Sequence, residues 1–312
     1  RETTIIDGGQ NGSVVTFESG ENLSALLRNF TITNGKTASE GGGININNSS
    51  PTLKNIIIIN NEARNGGGIS CEVNSNPSIS DVSIINNFAL EQDAGGGNGG
   101  GVNCFNSEPD LDRVLIANNQ SDNDGAGIRL WNSNPTMNNI TIVENISIIE
   151  GGGVHIRDNS NPSFNNAIIY NNAPNEIYFR NSQLINTITI SFSDIDGGVD
   201  GIVTNDNGTV IWLEGNFDAD PQLNEDYTLQ STSPCIDAGD PNSSLDSDGT
   251  IADMGAYPFF QIPGCIDSLA TNFDAEANIN NGSCTGYPDN GDYSLSFDGV
   301  DDWVEINNPI TF

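Results

Sequence analysis

Gly125-Ala126-Gly127-Ile128-Arg129-Leu130-Trp131-Asn132-Ser133-Asn134-Pro135-Thr136-Met137-Asn138-Asn139-Ile140-Thr141-Ile142-Val143-Glu144-Asn145 is the stretch on which the fold turns. A small-residue run opens it, short apolar/polar alternations flank a central proline, and an asparagine closes it. No helical period runs through it, and the alternations read as strands cut by Gly, Asn and Pro. Four further segments repeat the pattern, starting at Gly41, Gly66, Gly99 and Gly151, so the steps along the chain are 25, 33, 26 and 26 residues. The long step holds an insertion around Glu91 to Asn98 that duplicates the glycine run. Pro51, Pro77, Pro109, Pro135 and Pro162 are each followed nine residues later by Asn60, Asn86, Asn118, Glu144 or Asn171, and then by Asn61, Asn87, Asn119, Asn145 or Asn172. A weaker copy spans Leu27 to Asn34 and ends in Gly35.

Stacking the repeats sorts the residues into columns. Ile44, Ile69, Val102, Ile128 and Val154 form one apolar column, and Ile46, Cys71, Cys104, Leu130 and Ile156 the next. Leu53, Ile79, Leu111, Met137 and Phe164 make a third. Ile56, Val82, Val114, Ile140 and Ala167, with Ile58, Ile84, Ile116, Ile142 and Ile169 two positions on, complete an interior. A period near 26 residues is one coil of a right-handed parallel β-helix, in which like stacks on like about 4.8 Å apart. The expectation is an all-β solenoid. The second Asn of each pair serves either as a stacked amide ladder or as a turn former, and both roles are structural.

Composition fits a thin solenoid. Only 35% of residues are hydrophobic and 7% aromatic, while Gly fills 35 positions. Acids outnumber bases 42 to 9, for a formal charge of −33. Nucleic acid is thereby excluded as a partner, since binding it needs clustered Lys and Arg. No run is apolar enough to insert into a membrane. The acidity implies either solubility in a salty medium or carboxylates that hold Ca²⁺. The chain starts at Arg1 with no Met or leader and reads as a piece of a longer product.

The glycine-run, Asn-Pro and Asn-Asn arrangement resembles secreted bacterial β-helix proteins with polymorphic-outer-membrane-protein-like repeats, over roughly residues 5 to 180. The resemblance implies a fold but no activity. Past Ile177 the period is expected to fail, and 215–260 looks like the closing element of the same family, a polar cover for the open end of the last coil. That element carries Asp240, Asp246, Asp248 and Asp253, which are either a Ca²⁺ site, the one cofactor considered, or a hydrogen-bonded cap. Residues 1–260 are thus assigned to the β-helix. Residues 264–286, from Gly264-Cys265 to Gly282-Ser283-Cys284, resemble a small module found between domains of large surface proteins exported by the type IX route. The resemblance implies a Cys265–Cys284 bridge, which would contribute about 3 kcal/mol by the chain-entropy model. Residues 292–312 resemble the first strands of a truncated laminin-G/concanavalin-like jelly roll. Cys71 and Cys104 share an inward column and are expected to be neighbours, either bridged or as stacked thiols, with Cys235 unpaired.

For chemistry, the outward columns after the glycine run read Asn45, Ser70, Asn103, Arg129, His155 and Asn47, Glu72, Phe105, Trp131, Arg157. Arg129, Trp131, His155 and Arg157, with Phe105, are expected to sit together on an exposed face. That face is a glycan-binding patch, a lyase-like catalytic centre, or ordinary surface. No acidic pair lies in those columns, which argues against hydrolysis or a metal. A second stripe, Ile57, Leu115, Ile168 and Ile59, Ile85, Val143, Tyr170, is oddly apolar. A neighbouring domain, a partner protein or the 181–215 segment is expected to cover it. The leading expectation is a non-enzymatic scaffold or adhesin segment of a long modular chain. It would lie outside a Gram-negative bacterium, or on its outer surface. Its partners would be other domains of that chain, glycans, or secretion and surface proteins, with transport as a secretion-system cargo also open. The alternative is a polysaccharide-binding or polysaccharide-cleaving module.

Overall fold

A computed structural model describes residues 3–91 and 95–287, and the laminin-G-like stretch 292–312 lies outside those residues. Two compact units divide the chain at Phe260 and Gln261.

The first unit is a parallel β-solenoid. Its strands stack coil on coil into three longitudinal sheets of 12, 7 and 4 strands. The seven-stranded sheet contains Ile44–Asn47, Ile69–Glu72, Val102–Phe105, Ile128–Trp131 and Val154–Arg157. Its registers pair Val102 with Ile128, Cys104 with Leu130, and Arg129 with His155. The long strands Thr52–Ile59, Ser78–Ile85, Asp110–Ala117 and Thr136–Val143 form the centre of the twelve-stranded sheet, all parallel. Each bends where Asn55, Asp81, Arg113 or Asn139 takes a left-handed backbone, with φ between 51° and 57°. That bend explains why inward positions step by three, from Leu53 to Ile56, before resuming alternation at Ile58. Every apolar column named above is buried along these coils.

Glycines open each coil for two reasons. The first of each run has positive φ, 66° at Gly41 and 65° at Gly66, which Gly adopts at little cost. The third packs against the next coil, so that a Cβ on Gly68 would lie 2.6 Å from the Gly101 carbonyl oxygen.

The asparagine ladder is present. Asn61, Asn87 and Asn119 each donate from Nδ2 to the Oδ1 of the next rung at 3.0 Å, and Asn145 donates to Asn172 at 2.9 Å. Each Nδ2 also donates to a main-chain carbonyl, as Asn119 does to Ile84. The first Asn of each pair, and Glu144 in its place, takes the left-handed turn conformation instead. At the end of the ladder Glu176 accepts from both the main-chain and side-chain nitrogens of Asn172. Burial raises the Glu176 carboxyl to about 7 against those hydrogen bonds. A second ladder escaped the sequence reading. Ser75, Ser107, Ser133 and Ser160 each accept, at Oγ, the main-chain N–H of the serine one coil back, beginning with Ser49.

Three expectations are corrected. The period does not end at Ile177: Ile177–Phe179, Asn186–Ser191, Asp194–Ile195 and Gly208–Trp212 continue the sheets in parallel register. The coils persist because Ile177, Phe179, Ile188 and Ile190 still fill the interior although the Gly and Asn markers have gone. For the same reason 181–215 does not cover the apolar stripe. Residues following Phe217 do, so the expected end cap lies along the flank. Leu223, Tyr227, Ala256 and Tyr257 pack on Ile85, Leu115, Ala117 and Val143, while Leu229, Cys235 and Met254 pack on Ile168. The cover is also hydrogen-bonded: Ala256 N–H donates to Thr141 Oγ1 and Gly255 N–H to the Asn166 carbonyl.

In the second unit Pro263–Gly264 pairs with Ile279–Asn280, and Cys265 and Cys284 form a disulfide with Cα atoms 4.8 Å apart. Cys71 and Cys104 are register partners, and both are buried free thiols, as is Cys235. The hydrogen bond with Cys104, together with burial, pushes the Cys71 thiol up. Stacked thiols are therefore what the shared column holds.

Candidate functional site

The outward face of the seven-stranded sheet brings together every residue of the expected cluster. Parallel register sets Phe105 beside Trp131, Trp131 beside Arg157, and Arg129 beside His155. Phe105 and Trp131 meet edge to face with centroids 4.9 Å apart. The Arg157 guanidinium carbon lies 4.0 Å from the Trp131 ring centroid, and that of Arg129 4.9 Å from it. Such cation–π contacts help hold the ring in place.

The face is less open than expected. Arg129 is 5% exposed and His155 0%, whereas Phe105, Trp131 and Arg157 are half-buried. Neighbouring side chains close over the first column: Tyr178 stacks on His155 at 5.8 Å, and Trp131 lies against Arg129. Arg129 Nη1 donates to Asn103 Oδ1 at 3.0 Å, Arg157 Nε to Asp158 Oδ2 at 2.8 Å, and Arg180 Nη1 to Asp124 Oδ2 at 2.8 Å. Burial, with Arg157 nearby, lowers the Arg129 guanidinium to about 10, which leaves it a cation at neutral pH.

Beside the aromatic pair is a cleft of about 240 Å³, lined in part by Glu40, Glu72, Arg129 and Trp131. Burial, with Glu40 nearby, raises the Glu72 carboxyl to about 7.

The outward columns hold no acidic pair, but acids stand in the column next to them. The position preceding each first glycine forms its own column, in which Glu40 pairs with Asn65, Asn65 with Asn98, and Asp124 with Glu150. This column lies beside the outward residues, so Asp124 and Glu150 both come within 3.7 Å of His155 Nε2. Burial holds the imidazole below its ordinary value against Glu150 and Asp124. His155 and the Tyr178 hydroxyl hold Glu150 below the usual carboxylate range. The sequence signal was available: amides fill the column at Asn65 and Asn98, and acids replace them at Asp124 and Glu150.

The four aspartates of the flank behave differently. Asp240 Oδ1 accepts Asn242 N–H, Asp248 Oδ1 accepts Thr250 N–H, and Asp246 Oδ2 accepts Asp253 N–H. Asp253 accepts from the N–H groups of Asp237 and Phe259, one at each oxygen. Burial raises Asp253 to about 6. These carboxylates satisfy their own loop. Among the described residues, the group whose ligand atoms lie within 4.8 Å of one another is Asp124, Glu150 and His155.

No protein-family model and no curated protein matches this chain. One solved structure is similar to it. That structure is the crystal structure of pectate lyase Pel9A, with 13% identity, a TM-score of 0.41, and coverage of 78% of this chain and 76% of that one.

Proposed function

We propose that this β-solenoid is a non-enzymatic scaffold and adhesive segment of a larger secreted or cell-surface protein. Its Phe105/Trp131/Arg157 face is the surface that meets glycans or neighbouring surface proteins. The observation that carries this reading is that each arginine of the face is already engaged by the protein itself, with Asn103, Asp158 or Asp124 as its partner. A lyase needs a base free to take a proton from the sugar, and a bound guanidinium that stays protonated is poorly suited to that role. A half-buried tryptophan beside a positive charge instead suits the apolar face of a sugar. The disulfide favours an oxidising compartment, and the charge of −33 favours solubility outside the cell.

Glycan-array binding compared between the wild-type chain and Trp131→Ala tests the reading. Weak binding that the substitution abolishes supports it. Dose-dependent unsaturated uronide absorbance from pectate or alginate, lost in Arg129→Ala, refutes it.

One observation favours a second reading, polysaccharide cleavage. Glu72 titrates near neutrality in a cleft it shares with Glu40, and two carboxylates are what glycoside hydrolysis uses. That reading requires new reducing ends from a polysaccharide, abolished by Glu72→Gln.

A further inference from the structure

We infer that Asp124, Glu150 and His155 form a binding site for one divalent first-row transition-metal ion, of which Zn²⁺ is the representative. The site borders the Trp131 face, through His155 beside Arg129, and does not rest on the glycan reading.

The column logic leads there. Along the outward column, polar side chains satisfy one another: Asn103 Nδ2 donates to Ser70 Oγ at 3.1 Å, and Arg129 Nη1 to Asn103 Oδ1. Along the adjacent column, Asn65 Nδ2 donates to Glu40 and Asn98 Nδ2 to Asn65. The outward chain ends at Arg129 and the adjacent one at Asn98. Asp124 and Glu150 stack one coil apart, and two carboxylates cannot donate to each other. His155 beside them is fully buried, and neither Nδ1 nor Nε2 has a hydrogen-bond partner. Asp124 Oδ1 is buried and unpartnered as well. Buried polar atoms without partners are costly and rare, and a fully buried imidazole whose Nε2 lies beside two acids calls for a ligand.

Existing contacts leave room for a cation. Arg180 occupies Asp124 Oδ2, and the Tyr178 hydroxyl donates to Glu150 Oε1 at 2.9 Å. Arg180 pairs with Asp124 and the Arg129 guanidinium lies near it as well, while Asp124 Oδ1 and His155 Nε2 stay open. Nε2 lies 3.7 Å from an oxygen of each acid, too far for a hydrogen bond. Donors about 2.1 Å from a tetrahedral ion lie about 3.4 Å from each other, and the three ligand atoms here lie within 4.8 Å of one another, so side-chain rotation closes the site. An imidazole nitrogen with two carboxylates selects a transition metal over Ca²⁺, which takes oxygen ligands. Bound there, the ion would cancel the repulsion between the two stacked acids.

The chain contains a single histidine, which makes the test direct. The full chain, free of any affinity tag and labelled with ¹⁵N-histidine, is titrated with ZnCl₂ while the imidazole nitrogens are followed by NMR. A saturable shift of Nε2 at one equivalent is expected, with no shift from CaCl₂. Asp124→Asn should weaken the Zn²⁺ affinity at least about tenfold. An imidazole unmoved by excess Zn²⁺, or moved equally by Ca²⁺, overturns the site. An undiminished affinity in Asp124→Asn does so too.

Discussion

Changing Asn119 to Ala interrupts the ladder at its middle rung, and the structure gives the cost. Asn119 Oδ1 accepts two hydrogen bonds, from the main-chain N–H of Asn87 at 2.9 Å and from Asn87 Nδ2 at 3.0 Å. Its own Nδ2 donates to Ile84 O at 2.9 Å and to Asn145 Oδ1 at 3.0 Å. Asn87 and Asn119 are both fully buried. After substitution, two donors of Asn87 lose their acceptor in a dry interior, at about 1–3 kcal/mol each, or about 2–6 kcal/mol together. That is a large share of the roughly 5–15 kcal/mol typical of a folded domain. The control is Asn86→Ala, one residue away, where the loss is mainly the left-handed backbone at φ 55°, costing about 1–2 kcal/mol. Equilibrium urea unfolding followed by far-UV circular dichroism, with reversibility checked, measures both. The ladder account requires Asn119→Ala to be the more damaging by a clear margin. Equal losses, or a loss under about 1 kcal/mol at Asn119, would refute it and leave the asparagines as turn formers only.

Other outcomes follow from the same geometry. Burial raises Glu176 to about 7 and Asp194 to about 6, above their unfolded values of about 4. The native state thus binds more protons between those limits. The stability these groups contribute is present below pH ~4 and is lost as pH rises through ~6–7. Thermal melts should accordingly show a higher Tm at pH 5 than at pH 8, with a smaller difference in Glu176→Gln; a steeper dependence in that variant would contradict the assignment. Alkylation of the native chain should spare Cys71, Cys104 and Cys235, all buried, and reach them after unfolding. Peptide mapping without reduction should link Cys265 to Cys284, and a Cys235–Cys265 peptide would break the scheme.

The winding of this chain was legible in the sequence because a solenoid places equivalent residues of successive coils side by side. Register then follows from counting: Ile69, Val102 and Ile128 are neighbours in space because they share a phase, and Asn61 to Asn172 form a ladder for the same reason. The count failed where its markers failed. Beyond Ile177 the coils persist on interior residues alone, with neither glycine run nor Asn pair to announce them, and the serine ladder hid among ordinary loop serines. What only the tertiary structure decided depends on contacts between phases and between distant segments. The flank cover joins Met254 to Ile168 and Tyr227 to Val143, pairs that no period relates. The Asp124, Glu150 and His155 group draws on two adjacent columns whose side chains lean toward each other across the glycine turn. A column read by itself shows what stacks along the axis; how far side chains of neighbouring columns reach around the coil depends on burial and rotamer, which only the packed structure sets.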